Sequence, residues 1–298
     1  MRTLRTVAEV RAALARPRRE GRRIGLVPTM GALHEGHLSL MRRAREECDE
    51  VVVSLFVNPT QFNQASDLDA YPRDEARDIE IASEQGVDYL FAPPVSEIYP
   101  DGFATTISVG GITAPLEGTH RGREHFDGVA TVVGKLLNIV APDAAYFGQK
   151  DAQQTLVVKQ LVRDLNLPVR IEVCPTVREA DGLALSSRNA RLSPSERQRA
   201  AALHQALATA QVLVAAGETD VATLVAAARS ELADPQVRVE YFEIVNPETL
   251  APITSVGGPA LALIAAWVGD TRLIDNQLLS VSTSSRPPLA AGSHTRSD

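Results

Sequence analysis

Apolar and polar positions along the first two-thirds of the chain alternate between two periods. IGLVP (24–28) is a short apolar run, and helical spacing takes over from about Glu35 to Glu47. VVVSLFVN (51–58) is continuously apolar and β-branched, as expected of a strand buried on both faces in a parallel sheet. EARDIEIASEQG (75–86) has helical spacing and ends on Gly86, a C-terminal stop. VDYLFAPP (87–94) predicts a strand halted by Pro93 and Pro94, and TTISVG (105–110) alternates weakly as another. Helix is expected over 128–143, strand over 144–148, helix over 152–166 and strand over 169–177. Before all of these, Leu4, Val7, Val10 and Leu14 stand near helical spacing and predict a surface helix.

The repeated strand–helix order predicts an α/β fold, a Rossmann-like doubly wound parallel sheet. After about residue 190 the pattern changes. SPSERQRAAALHQALATAQVLVAAGE (193–218) opens with Ser193 and, three residues on, Glu196, a capping box with proline at the first helical position. A second helix (220–233) and three strands follow, which describes a smaller α+β C-terminal domain. The expected division is 1–176, then 177–281, then a polar tail over 282–298 whose Ser, Pro and Gly content predicts disorder.

With 298 residues the chain is long enough for about two domains. A net charge of −7, from 30 basic and 37 acidic residues, argues against a general nucleic-acid surface. Cys48 and Cys174 are the only cysteines and form no CxxC pair, so a disulfide framework or zinc knuckle is not expected and a reducing compartment suits the chain. The basic N-terminus lacks an apolar signal-peptide core, and no apolar run reaches membrane-spanning length. A soluble cytoplasmic protein without nucleic-acid or membrane partners is expected.

Ligands in a doubly wound sheet collect at the carboxyl ends of the strands, and four polar clusters fall there: PTMGALHEGH, NPTQF, GQKDAQQ and READGLALSSRN. In the first, Gly31 permits a tight turn and Gly36 a ligand's close approach to the first helical turn. A helix N-terminus with free N–H groups favours an anion. His34 and His37, three apart, share a helix face, with Cβ atoms roughly 5–6 Å apart, and both can reach one phosphate chain. Core packing and a zinc pair are the competing readings; HxxH is poor zinc spacing and no third ligand accompanies it. Lys150 can hold phosphate charge, and Asp151 can orient a nucleotide group or a hydrated Mg²⁺. Ser186, Ser187 and Arg188 form a compact set of phosphate donors in a composition that also suits a simple turn. Gln61 and Gln154 donate and accept without charge, which suits a small hydroxylated carboxylate.

Together, PTMGALHEGH, FVNPTQF, DLDAYPRD, FGQKD–QQ and TVREADGLALSSRN resemble the motif blocks of the pantoate–β-alanine ligase family, in order from about residue 24 to 190. HxGH alone would indicate only the wider nucleotidylyltransferase superfamily. The resemblance implies ATP-dependent condensation of (R)-pantoate with β-alanine through a pantoyl adenylate, releasing pyrophosphate and then AMP, in a homodimer. By matching position it implies His37 as proton donor, with His34, Lys150, Ser186, Ser187 and Arg188 beside it in catalysis. ATP would be bound by Met30, Gly31, Ala32, Leu33, His34, Glu35, Gly36 and His37, by Gly148, Gln149, Lys150 and Asp151, and by Val177, Leu185, Ser186, Ser187 and Arg188. Gln61 would contact pantoate and then β-alanine, and Gln154 pantoate, with Asn58, Tyr71 and His125 in the same pocket. Asp78 is the implied support for Mg²⁺.

Two positions depart from the family pattern. Leu185 stands where methionine is common, a swap of similar volume. Gln149 and Ala152 stand where the loop usually carries glutamate and an aromatic residue. An adenylyltransferase acting on another acceptor, and a non-catalytic nucleotide-binding module, are the alternatives.

Overall fold

The computed structural model describes residues 1–62 and 68–280. The expected tail over 282–298, and Asp67 at the head of the DLDAYPRD block, lie outside the described residues. Strands β1 (Arg2–Leu4), β2 (Ile24–Thr29), β3 (Glu50–Leu55), β4 (Tyr89–Phe91), β5 (Ala144–Gly148) and β6 (Arg170–Cys174) form one parallel sheet in the order β1-β4-β3-β2-β5-β6. Helices α1 (Val7–Arg19), α2 (Glu35–Glu47), α3 (Glu75–Glu84), α4 (Arg123–Val140) and α5 (Ala152–Asp164) connect and cover it.

The unbroken valine run of β3 is explained by its two covered faces. Val52 packs in the cluster that holds Val10 and Leu14 of α1 and Val129 and Val133 of α4. Val51 and Val53 face the other way, among Met41 and Ala44 of α2 and Ala82 of α3. With successive side chains pointing to opposite faces, each valine is fully buried, and each contributes roughly 1.5–3 kcal/mol.

Helices α6 (Pro194–Ala215) and α7 (Val221–Ser230) pack on an antiparallel sheet of β7 (Val237–Val245), β8 (Ala260–Val268) and β9 (Thr271–Leu279). Leu203, Leu207, Leu224, Phe242 and Ile264 share this separate core. The capping box at Ser193 and Glu196 is present. This is the doubly wound sheet and smaller α+β unit that the sequence pattern predicts.

Several local expectations are corrected. The N-terminal helix starts at Val7, because Thr6 and Glu9 form a capping box there, and Arg2–Leu4 pairs with β4 as an edge strand. TTISVG is not a strand. It lies along α4, with the Ile107 N–H donating to Thr131 Oγ1 at 2.9 Å and Ser108 Oγ donating to Asp127 Oδ1 at 2.6 Å. Its weak alternation therefore reports contact with a helix face. Helix α4 begins at Arg123, five residues before its first unbroken apolar stretch, since the polar first turn already buries His125 and Phe126.

Candidate active site

In the observed order, β3, β2, β5 and β6 are neighbours, and the chain reverses direction across the sheet between β2 and β5. The crevice at such a switch point is where open α/β sheets bind ligands. The four polar clusters follow these four strands, and side chains from all four line one cavity.

His34 is the N-cap of α2, and the two histidines build the cap themselves. The Gly36 N–H donates to His34 Nδ1 at 3.2 Å, while the His34 N–H donates to His37 Nδ1 at 3.3 Å. The rings lie 4.1 Å apart, centre to centre. Burial is the main reason that both pKa values fall below the ordinary range; His37, next to His34, reaches about 3. Both rings are therefore neutral near pH 7. With each Nδ1 accepting a backbone N–H, the remaining proton of each ring sits on Nε2. The pair thus offers two Nε2–H donors to the cavity without adding charge.

Gly36 lines the cavity, and a further constraint keeps its position free of a side chain. A Cβ there would stand 2.9 Å from His34 Cε1, so the glycine makes room for the histidine ring. Gly31 does adopt a left-handed turn, with φ of 87°. Its neighbours Ala32 and Leu33 donate their N–H groups to Asp78 Oδ2 and Oδ1 at 3.0 and 2.8 Å. Asp78 is buried and does not line the cavity. Burial, partly offset by these two donors, raises its pKa. Its observed task is to hold the loop that carries the histidines.

At the end of β3, Asn58 is spent on structure. Its amide donates to Gly128 O at 3.1 Å and to Gln61 Oε1 at 3.1 Å, and its oxygen accepts from Tyr99 at 2.8 Å. His125 Nδ1 lies 2.8 Å from Gln61 O, so in the neutral ring this nitrogen carries the proton and donates. Burial, with the charge of Arg121 second, lowers the His125 pKa to about 4. Gln61 Nε2 donates to Met30 Sδ at 3.0 Å. Asn58 and His125 thus fix Gln61, and all three line the cavity with Tyr71.

Gly148, Lys150, Asp151 and Gln154 line the cavity from the β5 side. Lys150 Nζ stands 3.7 Å from Asp151 Oδ1. The adjacent Gln153 also lines the cavity, but its amide is buried and bonded to Ile112 O, Pro115 O and the Glu117 N–H. Val177, Leu185, Ser186, Ser187 and Arg188 complete the wall beyond β6. Gly31, Ala32, Leu33, Glu35, Gln149 and Asp78, all expected at the nucleotide or its metal, do not line it. Glu35 is instead paired with Arg42 on the surface.

Glu117, Arg121 and Tyr241, none singled out from sequence, also line the cavity. Glu117 accepts from Arg272 Nη1 and Nη2 at 2.8 and 2.7 Å and from the Tyr241 hydroxyl at 2.8 Å, and forms an ion pair with Arg121, whose Nε stands 2.8 Å away. Burial alone would raise its pKa, but Arg272 and Arg121 outweigh this and hold it at about 2. The i,i+4 spacing of Glu117 and Arg121 was the available signal; the partners Tyr241 and Arg272 are 124 and 155 residues away in sequence.

Among the described residues, no group of three or more His, Cys, Asp or Glu side chains is arranged to hold a metal ion. Asp151 is a cavity carboxylate beside the phosphate-type donors. This donor set fits a magnesium ion that arrives on phosphate oxygens and keeps most of its waters.

A family model described as pantoate-beta-alanine ligase matches residues 2–278. The pantothenate synthetase of Moorella thermoacetica is 54% identical over 282 residues, covering 94% of this chain and 99% of that protein. The crystal structure of pantothenate synthetase from Thermus thermophilus superposes with a TM-score of 0.89 at 50% identity, covering 93% of this chain and 99% of that one. A pantoate-beta-alanine ligase from Francisella tularensis, solved with beta-gamma ATP and beta-alanine, gives a TM-score of 0.78 at 36% identity, covering 93% of this chain and 97% of that one.

Proposed function

The chain belongs to the pantoate–β-alanine ligase family, and from that premise we propose how its cavity condenses pantoate with β-alanine using ATP. The observation that carries the reading is the meeting, on one cavity, of phosphate-type donors (His34, His37, Lys150, Ser186, Ser187, Arg188) with uncharged amides (Gln61, Gln154).

The pantoate carboxylate attacks the α-phosphorus of ATP. A carboxyl O–P bond forms, the bond to the β-phosphate's bridging oxygen breaks, and pyrophosphate leaves. Charge builds on the phosphates as it does so, and prepositioned donors there act at the step that needs them. The Nε2–H groups of His37 and His34, the Lys150 ammonium and the Ser186–Arg188 turn are those donors in this reading. His37 is the one assigned to the proton at the leaving group. Magnesium, when bound with ATP, neutralises phosphate charge; Asp151 is the residue that would meet its water shell.

Gln61 and Gln154 orient the pantoate, whose two methyl groups suit the apolar wall of Phe56, Val129, Val132 and Phe147. The β-alanine amine then attacks the acyl carbon, the C–N bond forms, AMP leaves, and the amine gives up its proton. Bringing the two reactants together in one site supplies much of the acceleration.

The two separate hydrophobic cores support reading 1–176 as the catalytic domain and the rest of the described chain as a second domain. Family membership supports a homodimer in the cytoplasm; no helix among the described residues is long and apolar enough to cross a membrane. Sedimentation of the purified chain checks the dimer.

The test is ATP–pyrophosphate exchange with labelled pyrophosphate. Exchange that requires pantoate is expected. Exchange that requires a different acceptor would make the chain an adenylyltransferase, and tight ATP binding without AMP release would make it a non-catalytic module.

A further inference from the structure

Asp275 and Asn276 are neighbours on β9, in the C-terminal sheet, and both are buried, each at 3% exposure. Burying such a polar pair is costly unless every group is bonded, and the bonds found here reach into the loops of the other sheet. Asn276 Nδ2 donates to Gln149 O and Lys150 O, both at 2.9 Å, and its Oδ1 accepts from Gln149 Nε2 at 3.1 Å. Asp275 takes a two-pronged bond from Arg178, at 2.5 and 3.0 Å. Arg178 also donates to Gly182 O at 3.1 Å and to Asn276 O at 3.2 Å.

These bonds meet two loop walls of the site in one place. The turn Gln149–Asp151 has no side-chain cap of its own, and Asn276 holds two of its carbonyls. Arg178 pairs with Ala184 in an isolated antiparallel bridge, and the Leu185 N–H donates to Val177 O at 3.0 Å. That short bridge leads directly into Ser186, Ser187 and Arg188. A single dipeptide therefore touches both the Lys150 turn and the base of the Ser186–Arg188 turn.

We propose that Asp275 and Asn276 are positioning residues that fix the Lys150 turn relative to the Ser186–Arg188 turn, making the C-terminal sheet part of the phosphate-activating apparatus. The carboxamide is chemically specific to the task. It donates twice to carbonyls and accepts once from Gln149, whereas an aspartate at 276 can only accept and would face two carbonyl oxygens. This deepens the ligase reading of the same site and rests on it.

The experiment compares Asn276→Ala and Asn276→Asp with the wild-type chain in pantoate-dependent ATP–pyrophosphate exchange. The expected result is a fall in kcat of about 10- to 100-fold, larger for Asn276→Asp, because misplacement by about 1 Å costs a factor of that order. KM for pantoate, which the Gln61 side of the cavity controls, is expected within about twofold of wild type, and thermal unfolding is expected to remain cooperative. In a Lys150→Met background, Asn276→Ala is expected to add less than about a twofold loss, since it acts through Lys150. Wild-type kcat in a folded Asn276→Asp protein overturns the proposal, as does a fully additive loss in the Lys150→Met background. Should Asn276→Asp not fold, Asn276→Ser is read by the same criteria. A wild-type chain without pantoate-dependent exchange overturns the ligase reading alone. Positioning is then read from affinity for a non-hydrolysable ATP analogue, expected to fall at least about fivefold in Asn276→Asp and overturned by unchanged affinity.

Discussion

His34 and His37 cap one another at the start of α2: the His34 N–H donates to His37 Nδ1 at 3.3 Å, and His34 Nδ1 takes the Gly36 N–H at 3.2 Å. The three-residue spacing is that of a capping box, with imidazoles in place of the usual hydroxyl and carboxylate. One arrangement therefore satisfies the helix end, selects the Nε2–H tautomer and turns both donors toward the cavity. His37→Ala should lower pantoate-dependent exchange by about 100-fold or more and stability by only about 1 kcal/mol, the usual worth of a cap. Near-normal exchange in a folded His37→Ala protein would remove His37 from the mechanism.

Gly36→Ala isolates the geometry from the chemistry. The added methyl meets His34 Cε1 at 2.9 Å and Nδ1 at 3.0 Å, closer than such atoms approach, while alanine itself favours the helix. The expected outcome is a folded protein, about as stable as wild type, whose exchange activity falls at least about tenfold as the His34 ring is pushed aside. Unchanged kinetics in both substrates would show that the ring has room to move.

How much of this was legible before the fold is seen depends on the range of each interaction. The strand–helix order, the α2 bounds and the Ser193 capping box rest on neighbouring residues, and the sequence pattern carried them. So did the gathering of His37, Gln61, Lys150 and Arg188, because strand ends in a doubly wound sheet share an edge. Glu117 escaped notice since its partners Tyr241 and Arg272 lie on a different sheet. For Asp78 the family resemblance implied support of Mg²⁺, and only the fold shows its two backbone N–H partners at Ala32 and Leu33. TTISVG misled for a related reason, as alternation records burial against any surface.

Asp78→Asn separates those two readings. The amide keeps one acceptor but turns a donor toward a backbone N–H of Ala32 or Leu33, leaving it unsatisfied. The expected loss is about 1–3 kcal/mol in urea unfolding, with a lower kcat as the histidine loop loosens. The magnesium concentration for half-maximal activity should stay as in wild type. A large rise in that concentration, without loss of stability, would return Asp78 to the metal.

Glu117→Gln tests the buried network between the two sheets. It removes the charge that Arg272 and Arg121 share, leaving Glu240 as the carboxylate paired with Arg272. Breaking a buried pair from one side costs about 3–5 kcal/mol, so a lower melting temperature is expected, together with reduced activity because Arg121 and Tyr241 line the cavity. A variant as stable as wild type would mean that solvent reaches the network.

Acid should destabilise the protein before it reaches the range of ordinary carboxylates. Burial places His37 at about 3 and, helped by Arg121, His125 at about 4, against 6.5 for a free imidazole. Between those values the unfolded chain binds more protons than the native one, so stability rises with pH there. It is fully present above about pH 6.5 and is lost as the pH falls toward the two native values, by up to about 1.4 kcal/mol per pH unit for each ring. Glu117, held at about 2 against 4.5, adds a loss of the same sign only below about pH 4.5. Urea midpoints should therefore drop between pH 6.5 and pH 5, and less steeply in His125→Gln, which cannot take up the proton. Equal midpoints at both pH values would mean that the rings are charged or solvated in the native state, and the neutral Nε2–H assignment would fall with them.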